Sequence, residues 1–374
     1  MIYLDSAATT LQKPKSVAVA MMKAVNSMAS PGRGGYLPAD RAAQTAYACR
    51  ETACALFGVR DPEQVVFTCN ATHALNIAIK SLIKPGDTVL ISGYEHNAVT
   101  RTLHAIPSVE VKVAQAPLFC PREMVARFDE MLTQEVSVVV CTHVSNVFGY
   151  VLPVDAIARL CRERGVKLIV DASQSAGCIP INVQQWGAAF VAMPGHKGLY
   201  GPQGTGLLLC ADQCVPLIEG GTGSDSLKQS MPEFLPDRLE AGTHNIPGIA
   251  GLLEGLRFLQ RVGVERIGAY EKNLVSRMAQ GLEQVKGVHV YRQSPGQTCQ
   301  SGVLSFCVDG VDSEEAGQRL SDRGFAVRCG LHCAPLAHES AGTLESGTVR
   351  ASVSAFNTQR EVQAFIRAVA AIRN

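Results

Sequence analysis

The sequence predicts an α/β fold, with a large domain built on a seven-stranded, mainly parallel sheet and a smaller α+β domain towards the C-terminus. Short apolar runs alternate with segments of helical spacing through the first two-thirds of the chain, and longer helical stretches replace that pattern after about residue 247. Strands that alternate with helices form parallel sheets covered by helices on both faces. A chain of 374 residues is long enough for two or three domains.

Seven apolar runs account for the strands of the large domain. They lie at residues 65–68, 88–93, 109–116, 136–144, 167–173, 188–195 and 204–211. Helical spacing fills several of the intervals, at residues 72–82, 122–132 and 154–164. Residues 220–236, which are rich in Gly, Ser and Pro, are expected to form an ordered or gated loop. We assign residues 15–262 to this domain.

The smaller domain begins after a break between two long helical stretches, at residues 247–262 and 264–285, which Gly263 separates. Strands and helices then mix without strict alternation, as is typical of an α+β unit. The predicted strands are residues 288–291, 302–308, 325–329 and 348–353, and the predicted helices are residues 313–323 and 358–372. We assign residues 263–374, together with residues 1–14, to the small domain.

The charge balance indicates a small ligand. Lysine and arginine total 34 and aspartate and glutamate total 33, so the net charge of +1 creates no field to attract nucleic acid or an acidic membrane. The longest apolar stretch, residues 136–154, is interrupted by polar residues and by Pro153, so we expect no membrane segment. Thirteen cysteines, and an N-terminal segment without the regions of a signal peptide, indicate reduced thiols and a cytoplasmic location.

Several familiar catalytic motifs are absent from the sequence. It contains no G-x-G-x-x-G, no P-loop, no G-x-S-x-G, no H-E-x-x-H and no C-x-x-C. Dinucleotide, nucleoside-triphosphate, serine-hydrolase and zinc-finger interpretations therefore lose support. We expect no metal site, because Cys329, His332 and Cys333 are a poor match to the spacing of zinc ligands.

A carboxylate and a lysine follow two neighbouring strands, at the edge where open α/β sheets bind ligands. Asp171 ends the apolar run 167–170, and Lys197 follows the run 188–193 within a Pro-Gly-His-Lys segment. A lysine acts as a nucleophile or a base only when burial or imine formation lowers its pKa from about 10.4. Each residue alone also fits a plainer role, Asp171 as a helix cap and Lys197 as a solvated loop residue.

Asn70, Ala71 and Thr72 lie between a strand and a helix, so free backbone N–H groups and a hydroxyl converge at a helix N-terminus. Such a terminus binds phosphate, although an ordinary N-cap by Asn70 or Thr72 produces the same pattern. His96 follows the strand at residues 88–93, where it is placed to lie over an aromatic cofactor ring. Taken alone, His96 also fits an ordinary loop residue.

The last candidates lie in the small domain. Cys329 and Cys333 flank a histidine within six residues, a pattern that fits a redox or nucleophilic thiol as well as a pair of small buried hydrophobic residues. Arg350 lies in a predicted strand and is suited to a bidentate clamp for a carboxylate or to a surface ion pair.

Together these residues resemble the class V aminotransferases, a family of pyridoxal 5'-phosphate enzymes, and within it the branch of cysteine desulfurases and selenocysteine lyases. The similarity covers nearly the whole chain, at residues 3–10, 95–97, 143–149, 171–174, 195–197, 240–243, 328–334 and 350. It implies the type I fold of pyridoxal-phosphate-dependent transferases and a homodimer.

The resemblance also implies roles at the cofactor. Lys197 binds the cofactor covalently, Asp171 pairs with its pyridinium nitrogen, and His96 stacks on its ring and takes part in catalysis. Thr243 reaches the phosphate bound by the neighbouring subunit. The other cofactor contacts expected are Asn70, Ala71, Thr72, Asn146, Gln174 and His196.

By the same resemblance the substrate is L-cysteine or L-selenocysteine, and Arg350 and Asn146 bind it. Lys197 moves the Cα proton, Cys333 takes the sulfur as a persulfide, and L-alanine leaves. A sulfur-acceptor protein is a further expected partner. His332, or a histidine near the cofactor, is expected to assist the thiol as a base or by its charge.

The sequence departs from the family pattern at several positions. Pro194 stands where relatives usually carry a Ser or Thr whose hydroxyl holds the phosphate, and residues 69–71 replace a more usual Gly-Thr pair. Asn97 and Tyr36 each replace a histidine, and Leu331 precedes His332. Three alternatives stay open: a selenocysteine lyase, a transaminase or other lyase with a structural Cys333, and a degenerate partner-binding protein.

Overall fold

Two sheets, a pair of short parallel strands and their helices make up the computed structural model, which describes residues 1–32 and 34–372. The strands are β1 (Ile2–Tyr3), β2 (Val65–Thr68), β3 (Thr88–Ser92), β4 (Glu110–Ala114), β5 (Val136–Thr142), β6 (Lys167–Asp171), β7 (Phe190–Pro194), β8 (Gly206–Cys210), β9 (Val288–Tyr291), β10 (Val303–Val308), β11 (Phe325–Ala326), β12 (Arg328–Gly330) and β13 (Thr348–Ser352).

The helices lie between and after these strands. They are α1 (Lys15–Ser27), α2 (Leu37–Phe57), α3 (Ala71–Leu82), α4 (Asn97–His104), α5 (Pro121–Met131), α6 (Val154–Arg164), α7 (Val183–Trp186), α8 (Ile246–Val262), α9 (Val264–Glu283), α10 (Ser313–Asp322), α11 (Pro335–Ala341) and α12 (Gln359–Ile372). Within the described ranges, no helix is long and apolar enough to cross a membrane.

The larger sheet has seven strands in the order β2-β8-β7-β6-β5-β3-β4. The pairs between β4, β3, β5, β6 and β7 are parallel, whereas β8 is antiparallel to both of its neighbours. The short connection from β7 to β8 explains this exception, because a parallel return needs a crossover of a dozen or more residues. The predicted α/β class and its mainly parallel seven-stranded sheet are confirmed.

Both faces of this sheet are buried. Along β5, Val139 and Cys141 belong to one hydrophobic cluster, while Val138 and Val140 belong to another on the opposite face. Successive side chains of a strand point to opposite faces, so helices must cover both sides. Consequently the loops at the carboxyl ends of the parallel strands are where polar side chains meet.

The second sheet is antiparallel, in the order β12-β13-β10-β9. The prediction of one strand at residues 325–329 is wrong: β11 pairs in parallel with the N-terminal β1, and β12 pairs with β13. The division occurs because the two halves find different partners. A third hydrophobic cluster, which includes Leu4 of the N-terminal segment, lies beneath this sheet.

The predicted domain boundaries stay predictions. The pairing of β1 with β11 supports the assignment of residues 1–14 to the small domain. Positions 33, 373 and 374 of the predicted domains lie outside the described residues.

Candidate active site

The carboxyl-terminal edge of the large sheet borders a cavity of about 520 Å³. Nine of the residues singled out from the sequence line it, namely Asn70, Ala71, Thr72, His96, Asn146, Asp171, Gln174, His196 and Lys197. They come from the loops after β2, β3, β5, β6 and β7, so the fold brings together residues that are far apart in the chain.

Asp171 and Lys197 supply the charges of this cavity. Asp171 ends β6, is 3% exposed, and accepts a hydrogen bond of 2.9 Å from the Ser173 N–H. Burial lowers the pKa of Lys197 to about 8, the Asp171 carboxylate opposes that change and the Arg350 guanidinium adds to it. A larger fraction of the amine is therefore neutral near pH 7 than for an exposed lysine, as a nucleophile or a base requires.

The N-terminus of α3 forms another wall. Asn70 Oδ1 accepts a hydrogen bond of 2.8 Å from the His73 N–H, so this side chain caps the helix. The N–H groups of Ala71 and Thr72 stand in the first turn, where an α-helix has no internal acceptor to offer. Such a helix start favours an anion. Pro194 also lines the cavity but has neither a hydroxyl nor an N–H to donate.

His96 is fixed by the start of α4. Its Nδ1 accepts a hydrogen bond of 3.0 Å from the Ala98 N–H, which leaves the proton of the neutral ring on Nε2. Burial lowers its pKa, so the ring is neutral near pH 7. The preceding Glu95 is fully buried, accepts hydrogen bonds from the Ser92 hydroxyl and the Thr142 N–H, and has its pKa raised by burial to about 8.

The Cys333 segment is hydrogen-bonded to the rim of the same cavity. Asn146 Nδ2 donates to the His332 carbonyl oxygen over 2.8 Å, and the Asn97 N–H donates to the Cys333 carbonyl oxygen over 2.8 Å. His332 and Cys333 both have positive φ angles, 50° and 56°, which turn the chain sharply here. The Cys333 side chain is exposed.

Cys329 faces elsewhere. A Cβ added at Gly317 of α10 would lie 2.2 Å from Cys329 Sγ, so this sulfur packs tightly against the helix. Burial raises the pKa of Cys329 to about 11. Of the two thiols, only Cys333 combines exposure with contact between its own segment and the cavity.

His332 does not assist the thiol by its charge. Its ring is buried, its Nε2 lies 3.2 Å from Thr348 Oγ1, and burial, with the Arg350 cation, lowers its pKa to about 2. The lowered pKa argues against His332 as the histidine that assists the thiol, and the alternative, a histidine near the cofactor, stays a prediction. The reason is the burial of the ring beside Arg350, which the sequence does not show.

Arg350, on β13, is buried close by. Its Nη1 donates to the Asn146 carbonyl oxygen over 2.9 Å, and its Nη2 donates to Asp5 Oδ1 over 2.8 Å. Asp5 was not singled out from the sequence. No local signal marks it, because its partner lies 345 positions away.

Of the remaining predicted cofactor contacts, Gln174 and His196 line the cavity and are also hydrogen-bonded to the N-terminal segment, whereas Thr243 lies elsewhere. Gln174 Nε2 donates to the Ala7 carbonyl oxygen over 2.9 Å, and the His196 carbonyl oxygen accepts from Thr10 Oγ1 over 3.0 Å. Thr243 is exposed and lines a separate cavity of about 620 Å³. Within the described chain it is not brought to the Lys197 cavity.

Comparison with known proteins gives one family. The family model for class V aminotransferases matches residues 2–365. A probable cysteine desulfurase of Mycolicibacterium paratuberculosis is 34% identical over 99% of this chain, and one of Methanothermobacter thermautotrophicus is 32% identical over 97% of this chain and 92% of its own length. The chain spans 55% and 61% of the lengths of the two mycobacterial relatives, the second from Mycobacterium leprae.

Two solved structures of cysteine desulfurases are also similar to this chain. The apo structure of a cysteine desulfurase from Thermococcus onnurineus matches with a TM-score of 0.90 and 29% identity over 99% of this chain and 94% of that one. The cysteine desulfurase CsdA of Escherichia coli matches with a TM-score of 0.84 and 28% identity over 98% and 93% of the two chains.

Proposed function

Because the chain belongs to the class V aminotransferase family of pyridoxal 5'-phosphate enzymes, we propose that it is a cysteine desulfurase, which converts L-cysteine to L-alanine and holds the sulfur as a persulfide on Cys333. One observation carries the proposal: the segment of an exposed thiol is hydrogen-bonded to Asn146 and Asn97 at the rim of the Lys197 cavity. Transamination does not require a thiol nucleophile at this position.

The residues of the cavity fit pyridoxal 5'-phosphate. The first turn of α3 offers N–H donors to a phosphate, and the buried Asp171 offers a carboxylate to a protonated ring nitrogen. Asn146 Oδ1 is buried without a hydrogen-bond partner among the described residues. Lys197 offers an amine of lowered pKa as covalent anchor. The cofactor, when bound, supplies an electron sink for the bond-breaking step.

The remaining chemistry falls to side chains of this chain. Arg350 holds the substrate carboxylate, and the Lys197 amine takes the proton from the substrate Cα and returns a proton to the product. The Cys333 thiolate attacks the substrate sulfur. A sulfur–sulfur bond then forms as the substrate carbon–sulfur bond breaks, and the electron pair of the broken bond stays with the carbon skeleton, which is protonated to alanine. No external oxidant or reductant is needed.

The direct test uses protein reconstituted with pyridoxal 5'-phosphate and supplied with L-cysteine and dithiothreitol. We expect alanine and sulfide in equal amounts, since each turnover breaks one carbon–sulfur bond. A keto acid without sulfide would identify a transaminase instead. Relative rates with L-selenocysteine, measured in the same assay, separate a desulfurase from a selenocysteine lyase.

A homodimer is part of the proposal. Thr243 is exposed and remote from the cavity of its own chain, as a residue that serves a neighbouring subunit's phosphate would be. On α1, Val19, Met22 and Val25 are 58%, 62% and 67% exposed, which suits a helix covered by a second copy. We expect dilution to remove bound cofactor and activity together. A monomer that sediments alone and retains full activity would contradict this.

The thirteen cysteines are all free in the structure. Free thiols persist in a reducing compartment, so the proposal includes a cytoplasmic location. It also includes transfer of the persulfide sulfur to an acceptor protein.

A further inference from the structure

The guanidinium proposed to clamp the substrate carboxylate is already paired with a carboxylate of its own chain. Arg350 Nη2 donates to Asp5 Oδ1 over 2.8 Å, and Nη1 donates to the Asn146 carbonyl oxygen over 2.9 Å. Arg350 Nε is buried and has no hydrogen-bond partner among the described residues. Only 2% of the Arg350 side chain is exposed. Half of the clamp is therefore in use before any substrate arrives.

A second guanidinium stands on the other side of Asp5. Arg328 and Arg350 face each other in the register of β12 and β13, and Arg328 Nε lies 3.5 Å from Asp5 Oδ2. The Arg328 side chain is 52% exposed, whereas that of Asp5 is 15% exposed. Asp5 thus lies between the buried guanidinium of Arg350 and the solvent-exposed guanidinium of Arg328.

The charges of this cluster leave room for one more carboxylate. Two guanidiniums and one carboxylate carry a net charge of +1, which a single monocarboxylate neutralises. A carboxylate binds a guanidinium best through two parallel N–H donors. Because Nη1 of Arg350 is held by the Asn146 backbone, the edge formed by Nε and Nη2 is the one available for such a pair, and Asp5 holds half of it.

We propose that Asp5 is an internal stand-in for the substrate carboxylate, which holds Arg350 in the free protein and moves to Arg328 when the substrate carboxylate takes Nε and Nη2 of Arg350. The inference rests on the proposed function, because it takes Arg350 as the carboxylate clamp. Asp5 is then a residue that determines specificity by competition: it keeps the arginine ordered and admits only a ligand that offers a carboxylate in exchange.

The test measures the binding of propionate, a carboxylate without an amine, to the holoenzyme by isothermal titration calorimetry at low salt. Asp5→Asn preserves the shape of the side chain but removes its charge, so the competitor is lost. We expect propionate to bind about tenfold more tightly, the equivalent of one hydrogen bond to a charged group. A merely structural Asp5 would give the opposite result, since loosening Arg350 weakens binding. Unchanged or weaker binding by Asp5→Asn overturns the inference.

The variant Arg328→Gln is a second, independent test of the inference. It removes the guanidinium to which the Asp5 carboxylate is proposed to move, so propionate should bind more weakly than to the wild type. This loss of affinity should be smaller when Asp5→Asn is also present. An equal loss in both backgrounds, or none, overturns the inference. Arg350→Gln distinguishes failure of the Asp5 inference from failure of the proposed function. If this variant binds propionate as the wild type does, Arg350 is not the carboxylate clamp and the inference is wrong. The alanine and sulfide assay tests the desulfurase activity separately.

Discussion

Replacement of Lys197 by alanine is expected to abolish sulfide production, by at least about 10⁴-fold, because we propose Lys197 as both the covalent anchor of the cofactor and the group that moves the Cα proton. The variant should still bind pyridoxal 5'-phosphate, since Asp171, His96 and the N-terminus of α3 are unchanged. Borohydride reduction followed by peptide mass spectrometry should place the cofactor label on Lys197 in the wild type and leave the variant unlabelled.

Lys13 provides a matched control for this experiment. Burial lowers its pKa to about 8, as for Lys197, but its Nζ donates to the carbonyl and hydroxyl oxygens of Thr10, each over 2.8 Å, and it does not line the cavity. Lys13→Ala should keep the label on Lys197. A label found on Lys13 or on another lysine would show that the active-site assignment is wrong.

The same lysine gives a pH dependence with a defined sign. Only the neutral amine attacks an aldehyde, and burial lowers the pKa of Lys197 from 10.5 to about 8. The rate at which the apoprotein takes up the cofactor covalently should therefore rise with pH and level off above about 8, rather than continue to rise to pH 10.5. Stopped-flow absorbance measures that rate.

Replacement of Cys333 by serine is expected to lower sulfide release by at least about 10³-fold, as for the loss of a catalytic nucleophile. A serine hydroxyl stays protonated at neutral pH and forms no persulfide. Binding of L-cysteine should persist, because Lys197, Asp171 and Arg350 are untouched, and the absorbance change on adding the amino acid reports it. Full sulfide release by this variant would remove Cys333 from the mechanism and favour a lyase with a structural Cys333.

Cys329→Ser is the matched control, since it alters a thiol four positions earlier in the same segment. Its sulfur packs against α10 and its pKa is raised by burial to about 11, so the thiolate is scarce at neutral pH. We expect most of the first-turnover activity to remain. Mass spectrometry after one turnover without reductant should find one added sulfur on Cys333. Sulfur on Cys329 alone would exclude Cys333 as the carrier.

The sequence was sufficient for the class of fold and for the family because both depend on local information. The alternation of apolar runs with helical spacing predicted the seven-stranded sheet, and β2, β9 and α3 begin or end within a residue of their predicted bounds. The direction of β8 was not marked in the same way. It follows from the short connection between β7 and β8, whose length the spacing of the two apolar runs already contains.

The residues that line the Lys197 cavity are far apart in the sequence and come together only in the folded chain. The loops after five strands converge because the fold aligns their carboxyl ends, and this much followed from the predicted topology. The roles given to Lys197, Asp171, His96 and Arg350 came from resemblance and stay predictions. The resemblance assigned the persulfide to Cys333, but the difference in exposure between Cys329 and Cys333 appears only once their segment has packed.

The sequence by itself determined the α/β class, the order of the elements and the membership of the class V aminotransferases, because periodicity and motif order are written along the chain. Only the tertiary structure decided that residues 325–330 divide between two sheets, that His332 is buried and uncharged, and that Asp5 pairs with Arg350. These facts depend on burial and on contacts across up to 345 positions, and a residue's pKa and partner are set by what surrounds it after folding.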